Sequence, residues 1–366
     1  MPAAARPPFA RQGPRRAVVI GAGSFGTATA VLLARGGLRT TLQTRTPEQA
    51  TRLQATRENE EYLPGVELPP DLRIDSAGLS LERFDLVFLA VPSRGLDGVI
   101  AGLEGRGLQR RAAIVSLAKG LVPPDGHPPS RLLGDLVGSA RVAVVAGPAH
   151  AQEMVNAGAG LVVASADEEL AALVARLFTR GGVVCERSND PVGVELAGAA
   201  KNAAALASGA TQAQGLNAAG AAAGHIFQEV WRFAEAHDAR PESMIGLAGT
   251  GDLVATALAP GSRNRRAGEL LAGGMPATEI PAAIGQAVES LESVPMLAHA
   301  LERAGVEAPV TSGLARLISG ELPLDQWVAL VRTTVPPPPR WRVRRGFWRR
   351  LWARITFARR RGELTA

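Results

Sequence analysis

Residues 16–37, RAVVIGAGSFGTATAVLLARGG, restrict the possible folds of this chain more than any other stretch. An apolar run at 17–20 reads as a buried strand, glycines follow at once, and an amphipathic helix is predicted to run on until Gly36-Gly37. Gly21, Gly23 and Gly26 form G-x-G-x-x-G between that strand and that helix, the setting in which the pattern signals a dinucleotide site. Gly21 permits the tight turn, Gly23 lets the backbone approach a pyrophosphate, and Gly26 allows the helix to pack close. The helix N-terminus then offers phosphate its unpaired N–H groups.

A second strand at 40–43 ends in Thr44-Arg45-Thr46-Pro47. An NAD-preferring site places an acid here for the ribose hydroxyls, whereas this chain offers Arg45, which suits a 2′-phosphate. NADPH is therefore favoured over NADH. Thr46 to Gln49 also has the form of a capping box with Pro at the first helical position, so a helix start is expected beside Arg45. Further apolar runs at 86–91, 112–117, 142–146, 161–164 and 183–184 alternate with helical stretches and indicate a largely parallel, doubly wound α/β sheet. Pro92-Ser93, Lys119 and residues 147–150 fall just after strands, where such sheets bind ligands, and are expected to ring one crevice. After Pro191 the strand pattern stops and helical segments run to about Val331. The expected organisation is an arm at 1–15, a dinucleotide-binding domain at 16–188, an all-helical substrate domain at 189–334 and a Pro- and Arg-rich tail at 335–366.

Within the helical half, residues 194–209, VELAGAAKNAAALASG, set one cation among side chains too small to fill a core by themselves. Lys201, Ala205 and Ser208 share a helical face, with Asn202 beside them. Of the chain's 40 basic residues only Lys119 and Lys201 are lysine. Arginine stays protonated, whereas a desolvated ammonium can shift its pKa and exchange a proton, so Lys201 is a candidate general acid/base. Further on, residues 246–266 put Asp252 in a glycine-flanked turn with Thr256 four residues later, then Ser262-Arg263-Asn264 after a Pro-Gly break. An arginine with hydroxyl and amide neighbours at a turn makes an oxyanion clamp.

Cys185 is the single cysteine of 366 residues, which excludes an intrachain disulfide and suggests a reducing, cytoplasmic setting. The net charge of +6 resides in the tail: residues 335–366 hold ten Arg and one Glu, a balance of +9 that leaves the preceding residues at −3. Nucleic acid is therefore not an expected partner of the body of the chain. In residues 340–361, Phe347, Trp348, Leu351, Trp352 and Ile355 recur at helical spacing among Arg345, Arg349, Arg350 and Arg354. That pattern suits weak contact with an anionic membrane. A disordered tail, nucleic-acid adhesion and a shifted reading frame are the competing readings.

Together the motifs GAGSFGTA, NEEYLPG, LAVPS, AKG, AGPAHAQE, SNDPVGVELAGAAKN, GDLVAT, SRNRR and GQAVE resemble the bacterial NAD(P)-dependent glycerol-3-phosphate dehydrogenases over roughly residues 17–331. The resemblance implies a Rossmann domain followed by a helical substrate domain. It also implies reversible hydride transfer between NAD(P)H and dihydroxyacetone phosphate to give sn-glycerol 3-phosphate, a phospholipid precursor, by a homodimer. It assigns Ser24, Phe25, Arg45, Lys119, Ala151, Arg263, Ala287 and Glu289 to the cofactor. Substrate falls to Lys119, Gly147, Ala149, Lys201, Asp252, Ser262, Arg263 and Asn264, with Lys201 as the proton acceptor, Lys119 adding positive charge near the reacting oxygen and Asp252 orienting the ammonium. Ala149 departs from the family's small hydroxyl or amide residue, residues 210–216 form a shortened loop without the family's acid, and His225 replaces an arginine. These departures bear on substrate affinity more than on reaction type. Two rivals remain. One is a β-hydroxyacid dehydrogenase or ketopantoate reductase type of enzyme, which the S-R-N-R-R clamp disfavours. The other is a silent nucleotide sensor, which the set of Lys201, Asp252 and Arg263 disfavours.

Overall fold

In the computed structural model the chain is described at residues 15–259 and 261–335, so most of the N-terminal arm and the tail pattern at 340–361 lie outside the described residues. The first half alternates strand and helix: β1 (Arg16–Ile20), α1 (Ser24–Arg35), β2 (Arg39–Gln43), α2 (Pro47–Thr56), the short hairpin β3 (Glu58–Asn59) and β4 (Leu63–Glu67), then β5 (Arg73–Asp75). It continues through β6 (Leu86–Leu89), α3 (Leu96–Gly105), β7 (Ala113–Ser116), α4 (Pro129–Val137), β8 (Val142–Ala146), α5 (Ala151–Asn156), β9 (Gly160–Ser165), α6 (Glu168–Arg180) and β10 (Val184–Ser188). Helices alone follow: α7 (Pro191–Ala210), α8 (Leu216–Ala236), α9 (Pro241–Ile245), α10 (Asp252–Leu258), α11 (Arg263–Ala272), α12 (Ile280–Ile284), α13 (Glu289–Arg303), α14 (Pro309–Ser319) and α15 (Leu324–Thr333). Among the described residues no helix is long and apolar enough to cross a membrane.

Eight strands form one sheet in the order β10-β9-β8-β7-β6-β1-β2-β5. All neighbours are parallel except β8 and β9. From β1 the chain winds outward to β2 and β5, then returns to the other side of β1 at β6, so the strand order reverses between β1 and β6. Ligand crevices of open α/β sheets form at such a reversal, outside the carboxyl ends of the strands.

Strand alternation explains how both faces are covered. Ala17 and Val19 of β1, with Leu86 and Phe88 of β6, enter the core beneath α1 and α6; Val18, Ile20, Val87 and Leu89 enter the opposite one. Two sequence expectations change here. Helix α1 is buried from Gly26 to Leu33 rather than amphipathic, because α5 and α6 cover the side that would otherwise meet water. Strand β5 and the β3–β4 hairpin, too short to carry a pattern, were not anticipated.

Helix α7 organises the second half. Val194 to Ala210 are buried except Ser208, and the helix shares a core with the β8–β9 face through Val144, Val162 and Ala164. Its small side chains are what lets the neighbours close in. A Cβ on Gly209 would lie 2.0 Å from the Arg265 carbonyl oxygen of α11, and one on Gly268 would lie 2.0 Å from that of Leu206, so α7 and α11 cross almost backbone to backbone. The Asp190 carboxylate caps α7 by accepting from Gly193 N at 2.8 Å and also takes Arg240 N and Ser243 Oγ at 2.7 Å each. One carboxylate thus ties the start of α7 to the segment that leads into α10.

Candidate active site

At the crevice, Gly21 has φ +112°, and a Cβ there would meet the Ala90 carbonyl oxygen at 2.5 Å. A Cβ on Gly26 would lie 2.0 Å from the Gly21 carbonyl oxygen. Gly23 differs, since nothing stands within 4 Å of its Cβ position. Two of the glycines therefore pack the turn, while the middle one leaves backbone open. No side chain caps α1, so its first amides remain available to an anion, and the turn fits a dinucleotide pyrophosphate. Ser24 and Phe25 begin that helix. Asn59, fully buried, donates from Nδ2 to the Ala22 carbonyl at 3.0 Å and to Thr27 Oγ1 at 2.7 Å, which fastens the turn from the β3–β4 hairpin.

Arg45 is exposed just past β2. Thr46 caps α2 by accepting from Gln49 N at 3.2 Å, but Gln49 Oε1 returns to Arg45 N at 3.3 Å rather than to the cap residue's own amide. The arginine backbone is held there, one position before the α2 N-cap, so an exposed cation and a helix N-terminus adjoin in the chain just past β2.

The second centre is a buried charge cluster. Lys201 Nζ lies 3.3 Å and Lys119 Nζ 3.4 Å from the same oxygen, Asp252 Oδ2. Thr256 Oγ1 donates to Asp252 Oδ1 at 3.3 Å. The side chains of Lys201 and Asp252 are 6% exposed and that of Lys119 18%, so the pair is dry and the third member faces the opening. Lys119 Nζ also sits 5.3 Å from the centre of the Phe25 ring, a cation–π contact that joins the cluster to the glycine turn. Asp252 is not in a turn as its glycine neighbours suggest; a π-helical turn at Leu247–Gly251 runs directly into α10, and Asp252 is that helix's first residue. The glycines serve this turn, since a Cβ on Gly249 would fall 1.9 Å from the Met244 carbonyl oxygen.

Burial, then repulsion from Lys119, pushes the Lys201 ammonium below its usual pKa against the pull of Asp252 and Glu289. Burial alone would push the Asp252 carboxyl up, but Lys119 and Lys201 together outweigh it and hold the carboxyl below its usual range. The two directions have different causes, burial for the lysine and the two neighbouring ammoniums for the aspartate, and together they make Lys201 rather than Asp252 the buried member that gives up its charge more readily than usual.

A chain of amides connects this cluster to α11 and α13. Asn202 Nδ2 donates to the Lys119 carbonyl at 3.4 Å and to Glu289 Oε2 at 3.3 Å. Asn264 Nδ2 donates to Asn202 Oδ1 at 2.9 Å, and Ser290 N donates to Asn264 Oδ1 at 3.4 Å. Asn264 thus spends one of its two amide protons inside the protein and keeps one for a ligand. Ser262 is the N-cap of α11, accepting from Arg265 N at 3.3 Å, so Ser262, Arg263 and Asn264 occupy a helix start, a stronger anion site than the expected bare turn. Arg263 Nη1 donates to the Ala287 carbonyl at 3.1 Å. Gly147 (φ +122°), Ala149 and Ala151 follow β8, beside the Lys119 loop after β7, and make no hydrogen bond to the lysine cluster. In the shortened loop Gln212 Oε1 accepts from Arg265 Nη1 at 3.3 Å, while His225 lies along α8.

Sequence reasoning missed three placements, two beside the candidate site and one that is structural. Asn59 had no signal beyond its motif, because its partners come from a glycine turn 37 positions away. Asn202 as the hub of the amide chain was visible only as a neighbour of Lys201. Glu195, buried on α7, was detectable as an acid inside an otherwise apolar run.

The family model NAD-dependent glycerol-3-phosphate dehydrogenase N-terminus matches residues 16–171, and NAD-dependent glycerol-3-phosphate dehydrogenase C-terminus matches residues 190–329. A glycerol-3-phosphate dehydrogenase (NAD(P)+) of Deinococcus radiodurans is 40% identical over 311 residues, 83% of this chain and 90% of that protein. One of Pseudomonas fluorescens is 35% identical over 331 residues, covering 88% and 95%. A crystal structure of glycerol-3-phosphate dehydrogenase from Coxiella burnetii superposes with a TM-score of 0.82 at 29% identity, over 87% of this chain and 99% of that one.

Proposed function

The chain belongs to the NAD-dependent glycerol-3-phosphate dehydrogenase family, and on that premise we propose how its residues divide the work. Its reaction is the NAD(P)H-dependent reduction of dihydroxyacetone phosphate to glycerol 3-phosphate, which sets aside the rival hydroxyacid reductase and silent-sensor readings. The observation that carries the residue assignment is the pair of buried lysines on one aspartate oxygen.

When bound, the reduced nicotinamide supplies a hydride to the substrate's C2. As negative charge develops on the C2 oxygen, Lys201 Nζ donates a proton to it, and in the oxidative direction the neutral amine reclaims that proton. Burial and the neighbouring Lys119 favour the neutral amine that results, so the transfer relieves a charge the site holds at a cost. Lys119 remains as a cation near the oxygen, and Asp252 orients both ammoniums. Arg263, Asn264 and the α11 start with its Ser262 cap hold the phosphate, with the Gly147 and Ala149 backbone completing the substrate wall. Gly21, Gly23, Ser24, Phe25, Gly26, Arg45, Ala151, Ala287 and Glu289 hold the cofactor, and Arg45 favours NADPH over NADH. Residues 16–188 serve the cofactor and 189–334 the substrate. The exposed apolar side chains Leu216, Val254 and Leu258 support a homodimer, the single cysteine a cytoplasmic setting, and the arginines of 340–361 a weak anionic-membrane contact near consumers of the product.

Steady-state kinetics on two variants test the assignment. Arg263→Ala is expected to raise KM for dihydroxyacetone phosphate about ten- to a hundredfold, the worth of a hydrogen bond to a charged group, with a smaller change in NADPH affinity. Because Arg263 also holds the Ala287 carbonyl, equal losses on both ligands would overturn the phosphate role. Arg45→Glu is expected to shift the NADPH-to-NADH preference toward NADH by about tenfold or more. An unchanged ratio would make Arg45 a surface residue only.

A further inference from the structure

A cavity of about 480 Å³ lies away from the residues assigned to chemistry, in the size range of small-molecule sites. It opens between the sheet and the helical half, where the ends of α4, α7, α8 and α13 meet the start of β8. None of the residues assigned above to cofactor or substrate lines it. Leu196, which does, precedes Lys201 by five positions on α7, about 140° around the helix, so cavity and lysine cluster use different faces.

Its two levels differ in chemistry. The floor is apolar and buried: Val142, Leu196, Phe233 and Ala300 are each no more than 7% exposed. The rim is polar and open: Arg131, Arg303, His127 and His237 line it with the single carboxylate Asp125, which has Arg303 and His127 within 4.0 Å. Asp125 accepts from Arg303 at 3.3 Å, and no ion-pair partner balances Arg131 among the described residues. The α4 amides are not the receptor, since Ser130 N already donates to Glu195 Oε1 at 2.8 Å and Ser130 Oγ to Glu195 Oε2 at 2.5 Å. Excess positive charge above an apolar floor is complementary to one kind of small molecule.

We propose that this cavity binds a single-chain amphiphile with a carboxylate head, its apolar body on Leu196 and Phe233 and its head between Arg131 and Arg303. A cavity with an apolar floor accepts the chain for its hydrophobic contribution, and the two guanidiniums select the head.

Isothermal titration calorimetry of the full chain with decanoate tests this, with decanol as the body without charge and inorganic phosphate as charge without body. Saturable one-to-one decanoate binding, unaffected by saturating NADPH and at least tenfold tighter than either control, is the expected result. Ala304→Trp, at the exposed C-cap of α13 on the cavity mouth, should abolish it. Arg131→Ala with Arg303→Ala, both exposed positions, should weaken it about tenfold while NADPH binding is kept, which also covers a failure of the tryptophan variant to fold. Decanol binding as well as decanoate, competition by NADPH, or undiminished binding to the double arginine variant would each overturn the proposal.

Discussion

Helix α7 buries two ionisable side chains six positions apart, and they are handled in opposite ways. Lys201 faces a second ammonium and a shared carboxylate, while Glu195 meets only the amide and hydroxyl of Ser130 and the distant charge of Asp190. Burial drives each toward its neutral form: the lysine's pKa goes down, and the glutamate's is pushed up to about 8, with the Ser130 hydrogen bonds opposing that rise. The difference lies in what surrounds them. Lys201 shares its nearest carboxylate oxygen with a second ammonium, and Lys119 reaches partly exposed space, which suits the proton transfer proposed for it. Glu195 has its oxygens saturated by one serine and clamps α4 to α7. Burial of a charge thus marks a strained group, and only its partners decide whether the strain serves chemistry or architecture.

The comparison breaks first at Lys201→Met. Turnover is expected to drop roughly 10²- to 10⁴-fold, the usual worth of general acid–base catalysis, with NADPH affinity by fluorescence titration retained. Turnover within threefold of the parent would place Lys201 in the same structural class as Glu195.

Asp252→Asn sharpens it. Removing the carboxylate takes away a charge that raises the Lys201 pKa, so the ammonium is lost at still lower pH. The alkaline limb of the reduction pH profile should move to lower pH, and each unit of displacement lowers turnover about tenfold above the limb. A limb that stays in place while turnover falls would mean that Asp252 holds substrate rather than the lysine charge.

Glu195→Gln should have the smallest effect on turnover, within about twofold at neutral pH, and reveal itself in stability instead. The folded carboxyl titrates near 8 against an ordinary value of 4.5. Its stabilisation is fully present below pH 4.5 and is lost as pH rises through about 8, because the unfolded chain ionises first. The unfolding free energy of the parent relative to the variant should therefore fall across that window, by an amount on the order of a few kcal/mol, with Tm falling in step, and level off above it. A difference in Tm that is independent of pH would show that Glu195 is already ionised in the fold.

How much of this was legible beforehand varies with how local the cause is. The turn at Gly21, Gly23 and Gly26 was readable because strand, glycines and helix are adjacent in sequence, and the clash distances at Gly21 and Gly26 are set by neighbouring backbone. Lys201 was readable because lysine had been spared at only two positions. The full burial of α1 was not, since the helices that cover its outer side begin at Ala151 and Glu168, more than a hundred positions away. Nor was the helical start at Asp252, because a π-helical turn has no period of its own and its glycines look like those of a loop.

By itself, then, the amino-acid order determined the features that act within a few residues: the doubly wound first half, the helical second half, the phosphate-ready turn and the single lysine among small residues. Tertiary structure alone decided which charges meet. Asp252 reaches Lys119 across 133 positions, and Asn59 reaches the Ala22 carbonyl across 37. A pKa depends on distance and dryness, and both arise only when α7 is closed in by the sheet, α8, α11 and α13, each approaching because the helix between them is built of alanine and glycine.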